Sequence, residues 1–302
     1  MSHALLMKYT NDSSRFLTIE GNLIHYQIDG PEDGYPLVML HGSFSSLHTF
    51  DSWTEILKDT FRIYRFDLPG LGLTGAIQSQ DYSIKNLMRY LDIFLSRMNI
   101  HTCCLIGSSL GGWIAWEYAL LCPSKVKQLV LISPAGFIDR ESIPLPFRMA
   151  RTPFIHHIIK YAINRSMLES FVKEVFYNQN KITNELVDRY FDLFSKEGSA
   201  EAFYIFVNQN FHENTRFLKN ILCPTLIIWG KEDKWIPVKN AHKFHHLIPN
   251  NHLVIYDFAG HIPMEEIPEE TAEDLLEFLS KHLSTKVRPT SKPKKVSSTF
   301  NQ

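Results

Sequence analysis

Six short apolar runs, LVML, RIYRFDL, TCCLIG, KQLVLIS, PTLIIWG and HLVIYDF, punctuate the chain. They are too apolar for half-exposed strands and suit strands buried on both faces. Between them, Trp53 to Lys58, Ile84 to Met98, Trp113 to Leu121, Val238 to Leu247 and Glu270 to His282 carry helical spacing. Strands that alternate with helices imply a mainly parallel sheet covered on both faces. Ahead of this pattern, FLTIEG and LIHYQIDG alternate apolar with polar side chains and flank a turn at Gly21-Asn22, as half-buried antiparallel strands do.

One interval breaks the alternation. Between KQLVLIS and PTLIIWG lie about 80 residues with helical patterns and no convincing strand, too long for a simple crossover. Segments such as PFIHHIIKYAI, MLESFVKEVFY, NELVDRYFDLF and EAFYIFVNQNF are amphipathic and rich in aromatics. The expected organisation is a core at 1–136, a helical cap inserted at 137–219, the rest of the core at 220–284, and a basic, disordered tail at 285–302. The chain of 302 residues, 44% hydrophobic, is large enough for such a core.

A net charge of −1 leaves no electrostatic footprint for nucleic acid or for an anionic membrane surface. No apolar stretch is long enough to span a bilayer, so no stable membrane insertion is expected. The N-terminal MSHALLMKYTNDSS lacks the features of a signal peptide. Cys103, Cys104, Cys122 and Cys223 have no metal-ligand spacing and mostly fall in apolar segments. They read as buried thiols in a reducing compartment, and the expected location is cytoplasmic. Nothing here fixes an oligomeric state.

In an open α/β sheet, ligands bind at the carboxyl ends of the strands. Here those positions carry His41-Gly42-Ser43-Phe44, Asp67-Leu68-Pro69-Gly70-Leu71-Gly72, the IGSSLGGW turn, Gly230-Lys231-Glu232-Asp233 and Ala259-Gly260-His261. A serine in a tight strand-to-helix turn needs small neighbours two positions before and after it. Ser109, between Gly107 and Gly111, meets that condition. Ser108, with Ile106 and Leu110 at those positions, does not.

These labels, HG, DxPGxG, GxSxGG, WGxxD and AGH, resemble the α/β hydrolase fold family over about Phe16 to Leu283. Ser109, Asp233 and His261 match its Ser, Asp, His chain order. The resemblance implies a mainly parallel eight-stranded sheet with helices on both faces and an inserted helical cap. It also implies roles: Ser109 as nucleophile, His261 as its base, and Asp233 as the carboxylate that orients the imidazole. Glu232, Asp139 and Asp257 are the competing acids, and Asp233 is favoured. Leu110 N–H, with that of Ser43 or Phe44, would form the oxyanion hole. His41 and Gly42 shape that loop, whereas Asp67, Gly70 and Gly72 read as turn architecture. His242 and His246 share a helix face without a third ligand, so no metal is expected. The chemistry requires no cofactor.

A serine at the elbow disfavours dehalogenases and epoxide hydrolases of this family, which use aspartate there. HGSFSS departs from the glycine-rich, proline-containing loop usual in proline iminopeptidases and carbon-carbon bond hydrolases. The expectation is therefore a carboxylesterase or lipase-like enzyme that cleaves small-molecule esters through an acyl-enzyme. Phe44, Trp113 and the aromatic cap point to an uncharged, apolar substrate, and the cytoplasmic reading without disulfides favours short to medium acyl chains. A carbon-carbon bond hydrolase, or a family member that binds ligand with little turnover, are the alternatives.

Overall fold

The computed structural model describes residues 3–137, 144–152, 164–209, 211 and 214–283. Eight strands form one sheet: β1 (Ser14–Ile19), β2 (Asn22–Asp29), β3 (Tyr35–Leu40), β4 (Phe61–Phe66), β5 (Cys103–Ser108), β6 (Val126–Ile132), β7 (Thr225–Gly230) and β8 (Asn251–Tyr256). Their order is β1-β2-β4-β3-β5-β6-β7-β8. β2 runs antiparallel to both its neighbours, and every other pair is parallel.

Burial follows the apolar runs. Every residue of β5 and β7 is buried, because helices cover both faces of the sheet there. Helix Ile84–Arg97 packs with Leu110–Leu121, and Asp51–Leu57 packs with Pro268–His282. The first hairpin differs by one position from the sequence expectation. Ile19 pairs with Asn22, so Glu20 and Gly21 make the turn, both at positive φ (50° and 77°). That pairing is the one a two-residue turn needs to match the twist of its strands.

Between β6 and β7 the chain forms helices Leu145–Ala150, Arg165–Val175, Asn184–Phe194 and Ser199–Val207, here called the cap. Asn164 and Thr183 cap two of them, accepting from the N–H of Met167 and Leu186. Asp139 and the basic tail lie outside the described residues. The N-terminal segment adds an element that its sequence did not announce, a helix at His3–Tyr9. It is only seven residues long and is held by tertiary contacts. Leu5 and Leu6 pack against Leu73 of the core and Leu193 of the cap, while Lys8 and Tyr9 both reach Asp192 at 2.8 Å.

Candidate active site

The chain passes from β3 to β4 on one side of the sheet and to β5 on the other. Such a reversal opens a crevice beyond the strand ends. Two loops meet there, His41 to Ser46 after β3 and the serine turn after β5.

Ser109 has φ 53° and ψ −113°, a conformation seldom adopted by a residue with a Cβ. Its surroundings hold it there. Ser109 N–H donates to the Ile132 carbonyl at 2.9 Å, and its own carbonyl accepts from Trp113 and Ala135, each at 3.0 Å. The glycines are sterically required. A Cβ on Gly107 would lie 2.2 Å from the Gly111 oxygen, and one on Gly111 would lie 2.1 Å from the Leu40 oxygen. A Cβ on Gly42 would approach the Ser109 Cβ to 3.0 Å, so the β3 loop presses directly on the serine.

His261 follows β8 and is 2% exposed. Its Nδ1 lies 2.7 Å from Asp233 Oδ2. The other oxygen of that carboxylate accepts the N–H groups of Trp235 at 2.8 Å and Ile236 at 2.9 Å, which fixes its plane. The ring of Trp235 lies 5.6 Å from the imidazole. His261 Nε2 is buried without a hydrogen-bond partner among the described residues and lines the same cavity as Ser109. The competing acids have other partners: Glu232 accepts the Ala259 N–H, and exposed Asp257 pairs with Lys231.

The loop after β3 is braced from below. His41 is fully buried, with Nδ1 2.8 Å from the Gly42 carbonyl and Nε2 accepting the Leu68 N–H at 3.0 Å. Burial pushes its pKa below the usual histidine range, although Asp67 opposes this. Asp67 accepts N–H groups from Leu47 and Leu73 and lies 2.7 Å from His25 Nδ1. Burial alone would raise its pKa, but the His25 hydrogen bond and nearby imidazoles hold it well below the carboxylate range.

Phe44, at φ 60°, directs its ring into the cap, where it meets Phe203 at 4.2 Å and Phe194 at 4.6 Å between ring centres. Phe147, Phe171 and Trp235 complete the cage. The N–H groups of Ser43, Phe44 and Leu110 have no hydrogen-bond partner among the described residues. Leu110 begins a 12-residue helix, whose N-terminus favours negative charge.

Two cavities meet at Ser109. The smaller spans about 460 Å³, part of it open to solvent, and is walled by Leu168, Phe171, Val172, Tyr190, Ile262 and Met264. The larger spans about 870 Å³, part of it open to solvent, and is walled by Trp113, Phe147, Phe206, Phe211 and Trp235. Trp113 is fixed by a 2.8 Å bond from Nε1 to Glu117. Ser108, at the end of β5, has a buried hydroxyl with no hydrogen-bond partner among the described residues and borders the smaller cavity.

Two residues that sequence reasoning passed over hold the histidine loop to the cap. Glu266, fully buried, accepts N–H groups from Gly260 at 2.7 Å, Tyr177 at 3.2 Å and Asn178 at 2.6 Å. Its neighbour Glu265 pairs with Arg189 and accepts from Thr49 at 2.7 Å and Tyr190 at 3.1 Å. The adjacent acids after AGH are their only trace in the sequence. Among the described residues no group of three or more potential ligands could hold a metal ion, and no helix is long and apolar enough to cross a membrane.

A family model described as alpha/beta hydrolase fold matches residues 35–268. The chain is 28% identical to a 2-hydroxy-6-oxo-6-(2'-aminophenyl)hexa-2,4-dienoic acid hydrolase of Metapseudomonas resinovorans, over 82% of this chain and 85% of that one. It is 27% identical to Lipase 1 of Psychrobacter immobilis, over 86% of this chain and 81% of the lipase. A solved serine hydrolase involved in carbazole degradation shares 25% identity, with a TM-score of 0.75 over 89% of this chain and 98% of that one.

Proposed function

The chain belongs to the alpha/beta hydrolase fold family, and from that premise we propose that it is a serine hydrolase of apolar carboxylic esters. The observation that carries this reading is the 2.7 Å contact of His261 with Asp233, joined to an unpartnered Nε2 in a cavity shared with Ser109. The Ser109 hydroxyl attacks the ester carbonyl and passes its proton to His261 Nε2. Asp233 holds the tautomer with Nδ1 protonated and stabilises the imidazolium. The oxyanion forms within reach of Leu110 N–H and of Ser43 or Phe44 N–H. His261 then protonates the departing alcohol. Water takes the alcohol's place, gives its proton to His261 and releases the acid from Ser109.

Paired apolar cavities suit the two arms of an ester, and similarity to Lipase 1 agrees with that class. In this reading residues 137–219 cap a core made of 1–136 and 220–284. The four cysteines are unpaired, which is compatible with the proposed cytoplasmic setting. The second reading is carbon-carbon bond hydrolysis on the same triad. It is favoured by 28% identity to the hexa-2,4-dienoic acid hydrolase, whose named substrate contains no ester. Hydrolysis of para-nitrophenyl esters of increasing acyl length, by wild type and by folded Ser109→Ala, decides between them. Turnover lost in the variant supports the ester reading. A folded wild type that spares every ester but cleaves a vinylogous diketo acid supports the second.

A further inference from the structure

Among the described residues the two cavities share Ser43, Ser109 and Trp235. Ser109 is the proposed nucleophile and Ser43 a candidate oxyanion donor, so the reacting carbonyl sits where the cavities join. Trp235 is the remaining shared wall, and a residue of each cavity flanks its indole. The His261 ring lies 5.6 Å away on the smaller side and the Phe147 ring 5.9 Å away on the larger. Indole Nε1 donates to Glu174 of cap helix Arg165–Val175 at 3.1 Å, and the backbone N–H of Trp235 donates to Asp233. Ring and backbone are both anchored.

The cavities differ in which part of the machinery they border. His261, with Ile262 and Met264 after it, walls the smaller one. Leu110 and Trp113, in the helix that follows Ser109, wall the larger, which His261 does not border. A tetrahedral intermediate on Ser109 carries the serine oxygen, the oxyanion, the acyl chain and the alcohol oxygen. As the bond from carbon to the alcohol oxygen breaks, that oxygen keeps the electron pair and takes its proton from the imidazolium, so the alcohol lies on the imidazole's side. The acyl chain is left with the other side. Water that later attacks the acyl-enzyme gives its proton to the same imidazole, and so enters by the space the alcohol has vacated.

We propose that the smaller cavity is the alcohol subsite and the larger the acyl subsite, with the Trp235 indole as the partition that keeps the two arms apart. The assignment rests on the ester reading of Ser109 and names its substrate class: esters of a compact alcohol with a longer apolar acid. The smaller cavity spans about 460 Å³ against about 870 Å³ for the larger, each partly open to solvent. Leu168 and Val172 wall it from the cap helix whose last carbonyl, that of Val175, accepts the His261 N–H. A wall tied to the imidazole's own backbone gives way little to a longer alcohol.

The test uses isomers with the arms exchanged, methyl octanoate and heptyl acetate, and follows acid release at constant pH. Wild type should favour methyl octanoate by roughly tenfold or more in kcat/KM. A smaller ratio, or one favouring heptyl acetate, overturns the assignment. Leu168→Ala widens the smaller cavity and should move the ratio by roughly threefold or more towards heptyl acetate. A smaller shift, or one the other way, overturns the alcohol subsite. Trp235→Leu keeps the backbone N–H for Asp233 but opens the partition, and should bring the two isomers to within about threefold of each other. A wider gap overturns the indole's role. Each ratio compares two substrates on one enzyme, so a general loss of rate in a variant cancels. If folded wild type hydrolyses neither isomer nor any para-nitrophenyl ester, the ester reading falls and the assignment with it. Ester turnover without the expected ratio fells the assignment alone.

Discussion

The N–H of His261 donates to the carbonyl of Val175 at 2.8 Å, so the last residue of a cap helix holds the backbone of the imidazole that shares a cavity with Ser109. Glu266 repeats the link through Gly260, Tyr177 and Asn178. The position of the proposed base is therefore set jointly by the sheet and by the cap.

Glu266→Gln tests that bracing. One acceptor oxygen becomes an NH2 that faces backbone N–H groups, at a stability cost of about 1–3 kcal/mol. The variant should lose roughly tenfold or more in kcat, with KM and acyl-length preference nearly unchanged, because neither cavity wall is altered. Steady-state kinetics and a thermal melt check this. A raised KM with intact kcat would place Glu266 in substrate binding instead.

Asp233→Asn should retain the fold, since an amide oxygen can still accept from Trp235 and Ile236. The imidazole, however, loses the partner that selects its tautomer. A fall in kcat on the order of a thousandfold or more is expected, with KM little changed. Asp257→Asn, at an exposed pair with Lys231, should leave the rate within about twofold.

Phe44→Ala removes the ring that joins the β3 loop to five aromatic partners. The vacated space should cost about 3–5 kcal/mol, read as a lower urea midpoint. The loop also carries the Ser43 and Phe44 N–H donors, so kcat should fall by roughly tenfold or more in the fraction that remains folded. An unchanged kcat would separate the oxyanion donors from this packing.

Asp67 gives the stability a predictable acid limb. Its carboxyl is held well below the ordinary range when folded, so the folded chain takes up this proton less readily than the unfolded chain. The stabilisation is complete above the ordinary carboxylate range and shrinks as pH falls through it towards the folded pKa. Asp67→Asn should cost about 3 kcal/mol at neutral pH. The gap from wild type should narrow on acidification, as measured by urea titrations near pH 7 and near pH 4.

The sheet and the serine turn were legible because local sequence dictates them. Two-face burial forces the apolar runs, and Ser109 can hold its φ only with Gly107 and Gly111 beside it. Asp233 stood out from Glu232 by filling the last position of WGxxD, and the contact with His261 agrees with that choice. Glu265 and Glu266 were not legible. Their partners Arg189, Tyr177 and Asn178 lie some 76 to 89 residues away in the chain, and nothing local marks a carboxylate for complete burial. The amphipathic cap segments showed that each helix had an apolar face, but not which cavity that face would close.

The bracing of the histidine loop also bears on how this protein can be recombined. Because Arg189, Tyr177 and Asn178 are bound by Glu265 and Glu266, the functional seam of the cap extends to the stretch around 260–266. A graft cut only at the ends of β6 and β7 would bring in foreign helices with no matching sockets for those carboxylates. A working chimera has to carry the cap and its histidine loop together, as one heritable cassette split across the chain.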